Sequence, residues 1–388
     1  MTYSRFFRHL VGFVLTAVLL LGCSNRPLPA MDETPVLSTI TTTPPPTLVG
    51  EPTFDSPQES STPSLVPTVI ESDDNGVNGL SEDEIATLSS LEKVDDFPLY
   101  TMRYYGPYLS SAGMKTSRQL GWERVDTRPG WGCSLFAALG ETDKMLYGRN
   151  FDWEYSPALL LYTDPPDGFA SVSMVDLAYL FETSAEIQNL SQVSITERIA
   201  LLDTPAWPFD GVNEKGLAVG MAAVPTDGGV KDDPEKENIY SLLMIREMLD
   251  HAANVYEALA LIGRYNIVFG GPPLHYLLAD STGRSALVEF FQGERVVIIN
   301  EQPWQMATNF LCAPEGECNT GKCRRYDTIN ERLEGTQGRL TTLEAMDLLA
   351  EVSQEGTQWS ILYGINTGEI SAVLGREYEI VHEFFLEK

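Results

Sequence analysis

The stretch that decides the fold runs from residue 130 to residue 153 and reads GWGCSLFAALGETDKMLYGRNFDW. Cys133 opens an apolar run with a strand pattern, and a second run of this kind begins at Met145. The second run ends in the polar segment Arg149–Asp152. We interpret the two runs as a β-hairpin whose ends carry the residues of most chemical interest.

Strand and helix patterns continue along the chain in separate blocks. Strand patterns occupy Leu135–Ala138, Met145–Gly148, Leu159–Tyr162, Ala170–Val175, Leu217–Ala223, Tyr276–Ala279, Ala286–Phe291, Val296–Ile298, Ile361–Asn366 and Ile370–Leu374. Helical patterns occupy Ser194–Leu202, Ile239–Arg264 and Leu343–Glu351. Ser81 and Glu84 are typical of a capping box before a short helix through Leu91. Hairpins and helices in separate blocks indicate antiparallel sheets covered by helices, which is an α+β domain.

The N-terminus has the pattern of an export signal. Two arginines precede an apolar run from Leu10 to Leu21, which at 12 residues is shorter than the roughly 20 that a spanning helix needs. We therefore expect residues 1–22 to be a signal peptide. The order Leu20–Cys23 resembles a bacterial lipobox, and this resemblance implies that Cys23 is lipidated and becomes the new N-terminus. A plain secretory signal is the alternative, and it also predicts a location outside the cytoplasm.

Composition divides the remainder of the chain. Residues 23–80 are rich in Pro, Thr and Ser without helical or strand period, which predicts a disordered tether. The net charge of −29 argues against nucleic acid as a partner and against electrostatic membrane binding, so a lipid anchor would be the sole contact with the bacterial cell membrane. We expect residues 81–132 to form a propeptide or α-subunit segment and residues 133–388 to form one catalytic domain.

The spacing around Cys133 resembles that of the choloylglycine hydrolase and penicillin V acylase family. In that family a Cys is followed by a Gly-Arg-Asn-Leu-Asp type segment, which matches Gly148–Asp152 here. Further matching segments follow in the family's order, at Asn213–Leu217, Pro273–Tyr276, Thr308–Asn309 and Arg325. The segments Asp95–Tyr100 and Asn309–Tyr326 are similar to the acid ceramidase branch. The resemblance implies a four-layer αββα fold of the N-terminal-nucleophile (Ntn) hydrolase type.

The resemblance also implies a role for each matching residue. The chain would be cut between Gly132 and Cys133, and the thiol of Cys133 would be the nucleophile. The new α-amino group would serve as its base, so that no histidine is required. Arg149 would lower the thiol pKa, and Asp152 would accept a hydrogen bond from the α-amino group.

Two further residues complete the implied site. Asn309 would offer its side-chain N–H to the oxyanion of the tetrahedral intermediate, and Arg325 would be a second charged support near the sulfur. Arg324 is an alternative for the second role. The position at which bile-salt hydrolases carry an active-site Asn corresponds here to Ala223, which puts bile-salt specificity in doubt.

Four cysteines follow the signal region, and they allow other readings. Two disulfides could use Cys133, Cys312, Cys318 and Cys323 together. Pairing alone does not explain Gly132 or the spacing of Arg149 and Asp152, so we favour the nucleophile. The other three cysteines lack CxxC spacing, which favours a local disulfide over a metal site.

The resemblance therefore implies an autoprocessed amidase that cleaves the C–N bond of a small, linear N-acyl amide through a thioester on Cys133. No metal or organic cofactor is implied. We expect the two fragments to stay associated, and a homo-oligomer is left open. The alternatives are an acyltransferase that uses the same site and a catalytically silent surface lipoprotein that binds ligands.

Overall fold

A computed structural model describes residues 79–108, 132–181, 187–224, 231–315 and 318–387. The predicted signal peptide, Cys23 and the tether up to residue 78 lie outside the described residues. Within the described ranges, no helix is both long enough and apolar enough to cross a membrane.

Helices occur in several short pieces. The α-helices are α1 Glu82–Ser89, α2 Ser241–His251, α3 Val255–Ile262, α4 Arg324–Thr336 and α5 Thr342–Glu351. The 3-10 helices span Leu177–Tyr179, Ile195–Ala206 and Ala313–Glu315. The predicted capping box is present at α1, where Ser81 and Glu84 exchange side-chain to backbone hydrogen bonds.

The strands form two large sheets and one small pair. They are β1 Glu92–Asp95, β2 Leu99–Tyr104, β3 Gly132–Ala138, β4 Leu146–Asp152, β5 Ala158–Thr163, β6 Ser171–Asp176, β7 Pro208–Asn213, β8 Ala218–Ala223, β9 Glu237–Tyr240, β10 Tyr265–Val268, β11 Leu274–Ala279, β12 Ser285–Phe291, β13 Glu294–Ile299, β14 Trp304–Ala307, β15 Thr357–Gly364, β16 Glu369–Leu374 and β17 His382–Phe385. The larger sheet has the order β1-β2-β5-β6-β7-β8-β11-β12-β13, and the smaller has the order β14-β3-β4-β15-β16-β17. Strands β9 and β10 form a separate parallel pair.

Alternation along the strands of the six-stranded sheet separates two cores. On β3, Leu135 faces the cluster shared with the nine-stranded sheet, whereas Phe136 faces a second cluster that includes Ile329 of α4 and Leu348 of α5. Tyr147 crosses between the sheets and donates its hydroxyl to the Leu277 carbonyl at 2.9 Å. Helix α2 packs on the opposite face of the nine-stranded sheet, against β7 and β8. The layers are therefore helix, sheet, sheet and helix, and the predicted αββα architecture of the α+β class is confirmed.

The structure differs from the sequence prediction in several places, three of which concern strand pairing and helix type. Strands β2 and β5 pair in parallel, so the larger sheet is mixed rather than fully antiparallel. The helix predicted over Ile239–Arg264 is two helices, separated at Ala252, where the backbone turns to an extended conformation. The segment that begins at Ser194 is a 3-10 helix with Pro205 inside it, which an α-helix would not accommodate without a broken hydrogen bond.

Candidate active site

The β3–β4 hairpin brings the predicted residues to one end of the six-stranded sheet. Its register pairs Gly132 with Asp152 and Leu135 with Arg149. Leu135 faces the nine-stranded sheet. Cys133 lies two positions before Leu135 on β3, and Arg149 is the cross-strand partner of Leu135 on β4, so both side chains lie on this same face. Asp152 alternates to the other face of β4. Cys133 and Arg149 therefore lie on one face of the six-stranded sheet, and Asp152 lies on the other face.

Arg149 is completely buried and held on several sides. Its Nη1 donates to the Phe209 carbonyl at 2.6 Å and to Asp210 Oδ2 at 2.7 Å. Asp210 also accepts a hydrogen bond from the Tyr363 hydroxyl, so its charge has two donors. The remaining Nη2 lies 3.6 Å from the sulfur of Cys133. A fixed guanidinium therefore points at the predicted nucleophile.

The thiol of Cys133 is only 3% exposed in the intact chain. Burial raises its pKa above the ordinary value, and Arg149 offsets only part of this rise. Arg149 acts on the thiol pKa in the predicted direction, but in the intact chain the desolvation of the thiolate outweighs the nearby positive charge and the pKa is raised overall. Cys133 is a free thiol, which contradicts the alternative of two disulfides.

Asn309 connects Cys133 to the end of the nine-stranded sheet. Its Oδ1 accepts the backbone N–H of Cys133 at 2.7 Å, and its Nδ2 donates to the Ala223 carbonyl at 2.8 Å. Ala223 is the position at which the chain departs from the bile-salt hydrolase pattern, and it contributes its backbone here. In the intact chain Asn309 thus bonds to the backbone of two strands, while its role toward an oxyanion stays a prediction.

Arg325 lies in the first turn of α4 and contacts the backbone of Cys133 rather than its sulfur. Its Nη1 donates to the Cys133 carbonyl and, at 2.9 Å, to the Ser134 hydroxyl. Its Nη2 donates to Asn309 Oδ1 at 2.9 Å. Arg324 is exposed on the same helix. The structure therefore brings Arg325, and not its neighbour, to the site.

Asp152 is bound by two residues that sequence reasoning missed. Its Oδ2 accepts a hydrogen bond from Gln354 Nε2, and its Oδ1 accepts one from the Thr357 hydroxyl, each with a donor–acceptor distance of 2.5 Å. Arg325 Nη1 lies 3.8 Å from Oδ2. Thr357 is the cross-strand partner of Asp152 at the start of β15. A polar segment just before a buried strand is the sequence signal that could have indicated these residues.

A buried glutamate supports the loop that follows Asn309. Glu289 accepts the backbone N–H groups of Cys312, at 2.9 Å, and Ala313, at 2.6 Å, and lies 3.2 Å from His275 Nδ1. Burial by itself would raise the pKa of Glu289, but the His275 contact and these N–H donors outweigh it and the pKa is lowered. His275 therefore interacts with the carboxylate of Glu289 on β12 and is not paired with Cys133.

The remaining cysteines form one disulfide and one free thiol. Cys312 bonds to Cys318, as expected of a local disulfide, and Cys323 is free and half-buried at the N-terminus of α4. Burial acts to raise the pKa of Cys323, yet hydrogen bonds from Thr308 and from backbone N–H groups at the start of the helix lower it overall. The two free thiols therefore differ in the direction of their pKa shifts.

Comparison with known proteins adds to this geometry. The family described as linear amide C–N hydrolases, choloylglycine hydrolase family, matches residues 133–332. The chain is similar to the crystal structure of a mutant conjugated bile acid hydrolase from Clostridium perfringens, with 16% identity, 66% of this chain and 92% of that chain covered, and a TM-score of 0.47.

Two further solved structures are similar at about the same level. For penicillin V acylase from Agrobacterium tumefaciens the identity is 16%, the coverage 62% of this chain and 83% of that chain, and the TM-score 0.43. For the Caenorhabditis elegans ortholog of N-acylethanolamine-hydrolyzing acid amidase the identity is 13%, the coverage 66% of this chain and 100% of that chain, and the TM-score 0.42.

Proposed function

The chain belongs to the choloylglycine hydrolase family of linear amide C–N hydrolases, and we propose that it acts on an N-acyl amide after cutting itself between Gly132 and Cys133. The observation that carries the proposal is the position of Cys133, whose sulfur faces the buried Arg149 while Asn309 binds its backbone N–H. The family match begins at this same residue, which supports Cys133 as the N-terminus of the mature enzyme.

The self-cleavage step needs no group beyond those at the strand end. The sulfur of Cys133 attacks the Gly132 carbonyl carbon, the peptide C–N bond breaks, and the thiol proton ends on the released amine. Water then hydrolyses the thioester, which leaves a carboxylate on Gly132 and regenerates the thiol. Arg149 stabilises negative charge on the sulfur during the attack, and its fixed position avoids a reorganisation cost.

The same groups serve the substrate after the cut. The α-amino group of Cys133 has an ordinary pKa of about 7.7 to 8.0, so it can take the thiol proton near neutrality. Asn309 Oδ1 already accepts a hydrogen bond from the Cys133 nitrogen, and the proposal gives the Asp152 carboxylate the role of a second acceptor for the new amine. The substrate acyl group then forms a thioester on Cys133, its amine leaves, and water releases the acid.

The alternatives differ in what they require of Cys133. A silent ligand-binding protein would be favoured by a Cys133 held in a disulfide, whereas the thiol is free. An acyltransferase would use the same thioester and release it to an amine instead of water.

Several contacts support the proposal that the fragments stay together after the cut. Strand β2 lies before the cleavage site and pairs along its whole length with β5, which lies after it. Tyr108 donates its hydroxyl to Asp250 of α2 at 2.7 Å. These bonds do not depend on the peptide bond at Gly132.

The location of the protein is a further part of the proposal. We propose export and lipidation at Cys23, supported by the Leu20–Cys23 pattern and the apolar run before it. Cells grown with labelled palmitate would incorporate label into the wild type and not into Cys23→Ser. Label in both proteins would contradict a lipid on Cys23.

The experiment that tests the enzymatic proposal combines mass and N-terminal sequence. Wild type and Cys133→Ala, both made without residues 1–22, are purified under the same conditions. We expect a fragment that begins at Cys133 in the wild type only, and hydrolysis of N-acyl amides by the wild type only. A single intact chain in both proteins would overturn self-processing, and acyl transfer to added amines without release of free acid would favour the acyltransferase.

A further inference from the structure

Gly132 lies in a space that has no room for a side chain. A Cβ built on Gly132 would collide with Gln354 Nε2 and would lie 3.0 Å from Asp152 Oδ2 and 3.3 Å from Asp152 Cβ. Gly132 has an ordinary backbone conformation without a positive φ. The need for glycine here therefore comes from the neighbours of its Cα and not from the backbone.

The obstruction is held in place by the site itself. Gln354 donates to Asp152 Oδ2 at 2.5 Å, and Gln354 backbone N–H donates to the Thr357 hydroxyl at 2.8 Å. Thr357 in turn donates to Asp152 Oδ1. Gln354 cannot move away without losing its hydrogen bond to Asp152. Its side-chain amide therefore occupies a fixed position beside the Cα of Gly132 and sterically excludes a Cβ there.

We propose, on the basis of the proposed function, that Gln354 is a specificity-determining residue that restricts the acyl group to an unbranched α-carbon. In self-cleavage the acyl group on the sulfur is the Gly132 carbonyl, so the Cα of Gly132 occupies the position of the α-carbon of a substrate acyl chain. The Gln354 amide that excludes a Cβ from Gly132 would therefore also exclude a methyl branch from the α-carbon of the substrate acyl chain. The enzyme takes straight-chain acyl amides for the same reason that its nucleophile is preceded by glycine.

A double-mutant cycle on self-cleavage tests the proposal within the chain itself. Wild type, Gly132→Ala, Gln354→Ala and the double variant are made by cell-free translation, and the loss of intact chain is followed with time. We expect Gly132→Ala to slow cleavage about tenfold or more when Gln354 is present, because overpacking a filled site is costly. In the Gln354→Ala background the same change should slow cleavage less than about threefold.

The control is Gly271→Ala, since a Cβ at Gly271 would meet no atom within 4 Å. We expect this variant to cleave at the wild-type rate. Equal slowing by Gly132→Ala in both Gln354 backgrounds would overturn the role of Gln354. Absence of cleavage in the wild type would instead overturn the proposed function, and this inference with it.

The substrate arm uses the mature enzyme and coumarin amides of octanoic acid and of 2-methyloctanoic acid. The informative enantiomer is the one whose methyl superimposes on the Cβ of an L-alanine. We expect its kcat/KM to be about tenfold or more below that of the straight chain for wild type, and the gap to narrow in Gln354→Ala. Equal hydrolysis of straight and branched amides by the wild type would overturn the shared acyl position. A merely structural role of Gln354 would lower both rates together and leave their ratio unchanged, which would also overturn it.

Discussion

The part of the chain that the structure describes contains two buried arginine–aspartate pairs with the same separation, Arg149 with Asp210 and Arg246 with Asp250, each at 2.7 Å. In the first pair the remaining guanidinium nitrogen faces the sulfur of Cys133. In the second pair the guanidinium donates to the hydroxyl of Ser171. A buried ion pair therefore does not by itself indicate an active site. What decides its role is the group that its remaining donor faces.

Replacing each of the two arginines should have very different effects on the rate of self-cleavage. Arg149→Met should lower the rate of self-cleavage about 100-fold or more, because it removes a preorganised positive charge at the sulfur. Arg246→Met should leave the rate within about threefold of the wild-type rate, since its guanidinium faces no reacting group. Both variants strand a buried carboxylate, so each should lose about 3 to 5 kcal/mol of unfolding free energy. Urea denaturation and cleavage time courses measure the two quantities separately.

Arg149→Lys is the matched control for charge, since lysine keeps the charge and loses the forked geometry. Partial recovery of the cleavage rate over Arg149→Met would support the electrostatic role. An Arg246→Met variant as slow in cleavage as Arg149→Met would break the distinction between the pairs.

The next effect concerns a buried carboxyl that has no ion-pair partner among the described residues, Asp176 at the end of β6. Burial raises its pKa to about 7, and hydrogen bonds from Ala178 and Ser156 offset only part of this rise. Between about pH 4 and pH 7 the folded protein holds a proton that the unfolded chain has released, so stability falls as pH rises through this window and stays low above it. Asp176→Asn should therefore be more stable than wild type by a few kcal/mol at pH 8.

At pH 4 most of the advantage of Asp176→Asn should disappear, because Asp176 is protonated in the folded state and, with an ordinary pKa of 3.8, close to half protonated in the unfolded state. Thermal denaturation at several pH values gives the comparison. An advantage of equal size at pH 4 and pH 8 would show that the gain has another origin than the charge.

A smaller effect is expected at the contact that the second pair makes with the N-terminal segment. Tyr108→Phe removes a hydrogen bond to the charged Asp250, for which about 1.5 to 3 kcal/mol is typical. After cleavage the variant should release its N-terminal fragment at a lower urea concentration than wild type. Tyr105→Phe is the control, because Tyr105 is exposed on the same segment. Identical release by the two variants would mean that Asp250 does not retain the fragment.

The smallest effect is expected at Cys323, a thiol that belongs to neither arginine–aspartate pair. Cys323 is half-buried and its pKa is lowered, so in a Cys23→Ser background it should react with iodoacetamide faster than Cys133, the other free thiol among the described residues, in the intact chain. Cys323→Ser should abolish this labelling and change the self-cleavage rate by less than about twofold. A larger loss of cleavage would give Cys323 a part in the site.

The sequence allowed the β3–β4 hairpin to be predicted because its pattern is local. Apolar alternation on β3 and β4 is visible without the fold, and the spacing of Cys133, Arg149 and Asp152 carries the family resemblance. Helix α4 was missed for the opposite reason. Its 13 residues are mostly polar, and only Tyr326, Ile329 and Leu333 are buried.

The rest of the site depends on contacts between distant segments. Asp210 lies on β7, whose Pro, Asp and Gly residues do not have a strand pattern, although the strand is fully buried. Gln354 is 202 residues from Asp152 in sequence, and only the pairing of β15 with β4 brings them together. The raised pKa of the Cys133 thiol likewise follows from burial, which no residue spacing reveals.

The parallel pairing of β2 with β5 has a consequence for the life of the protein after synthesis. While the chain is whole, the crossover between these strands makes their pairing a unimolecular event. After the proposed cut between Gly132 and Cys133, the same strands would belong to two molecules, and refolding after full unfolding would become a second-order process that slows on dilution. The proposed cleavage would therefore remove the concentration-independent route by which the intact chain refolds.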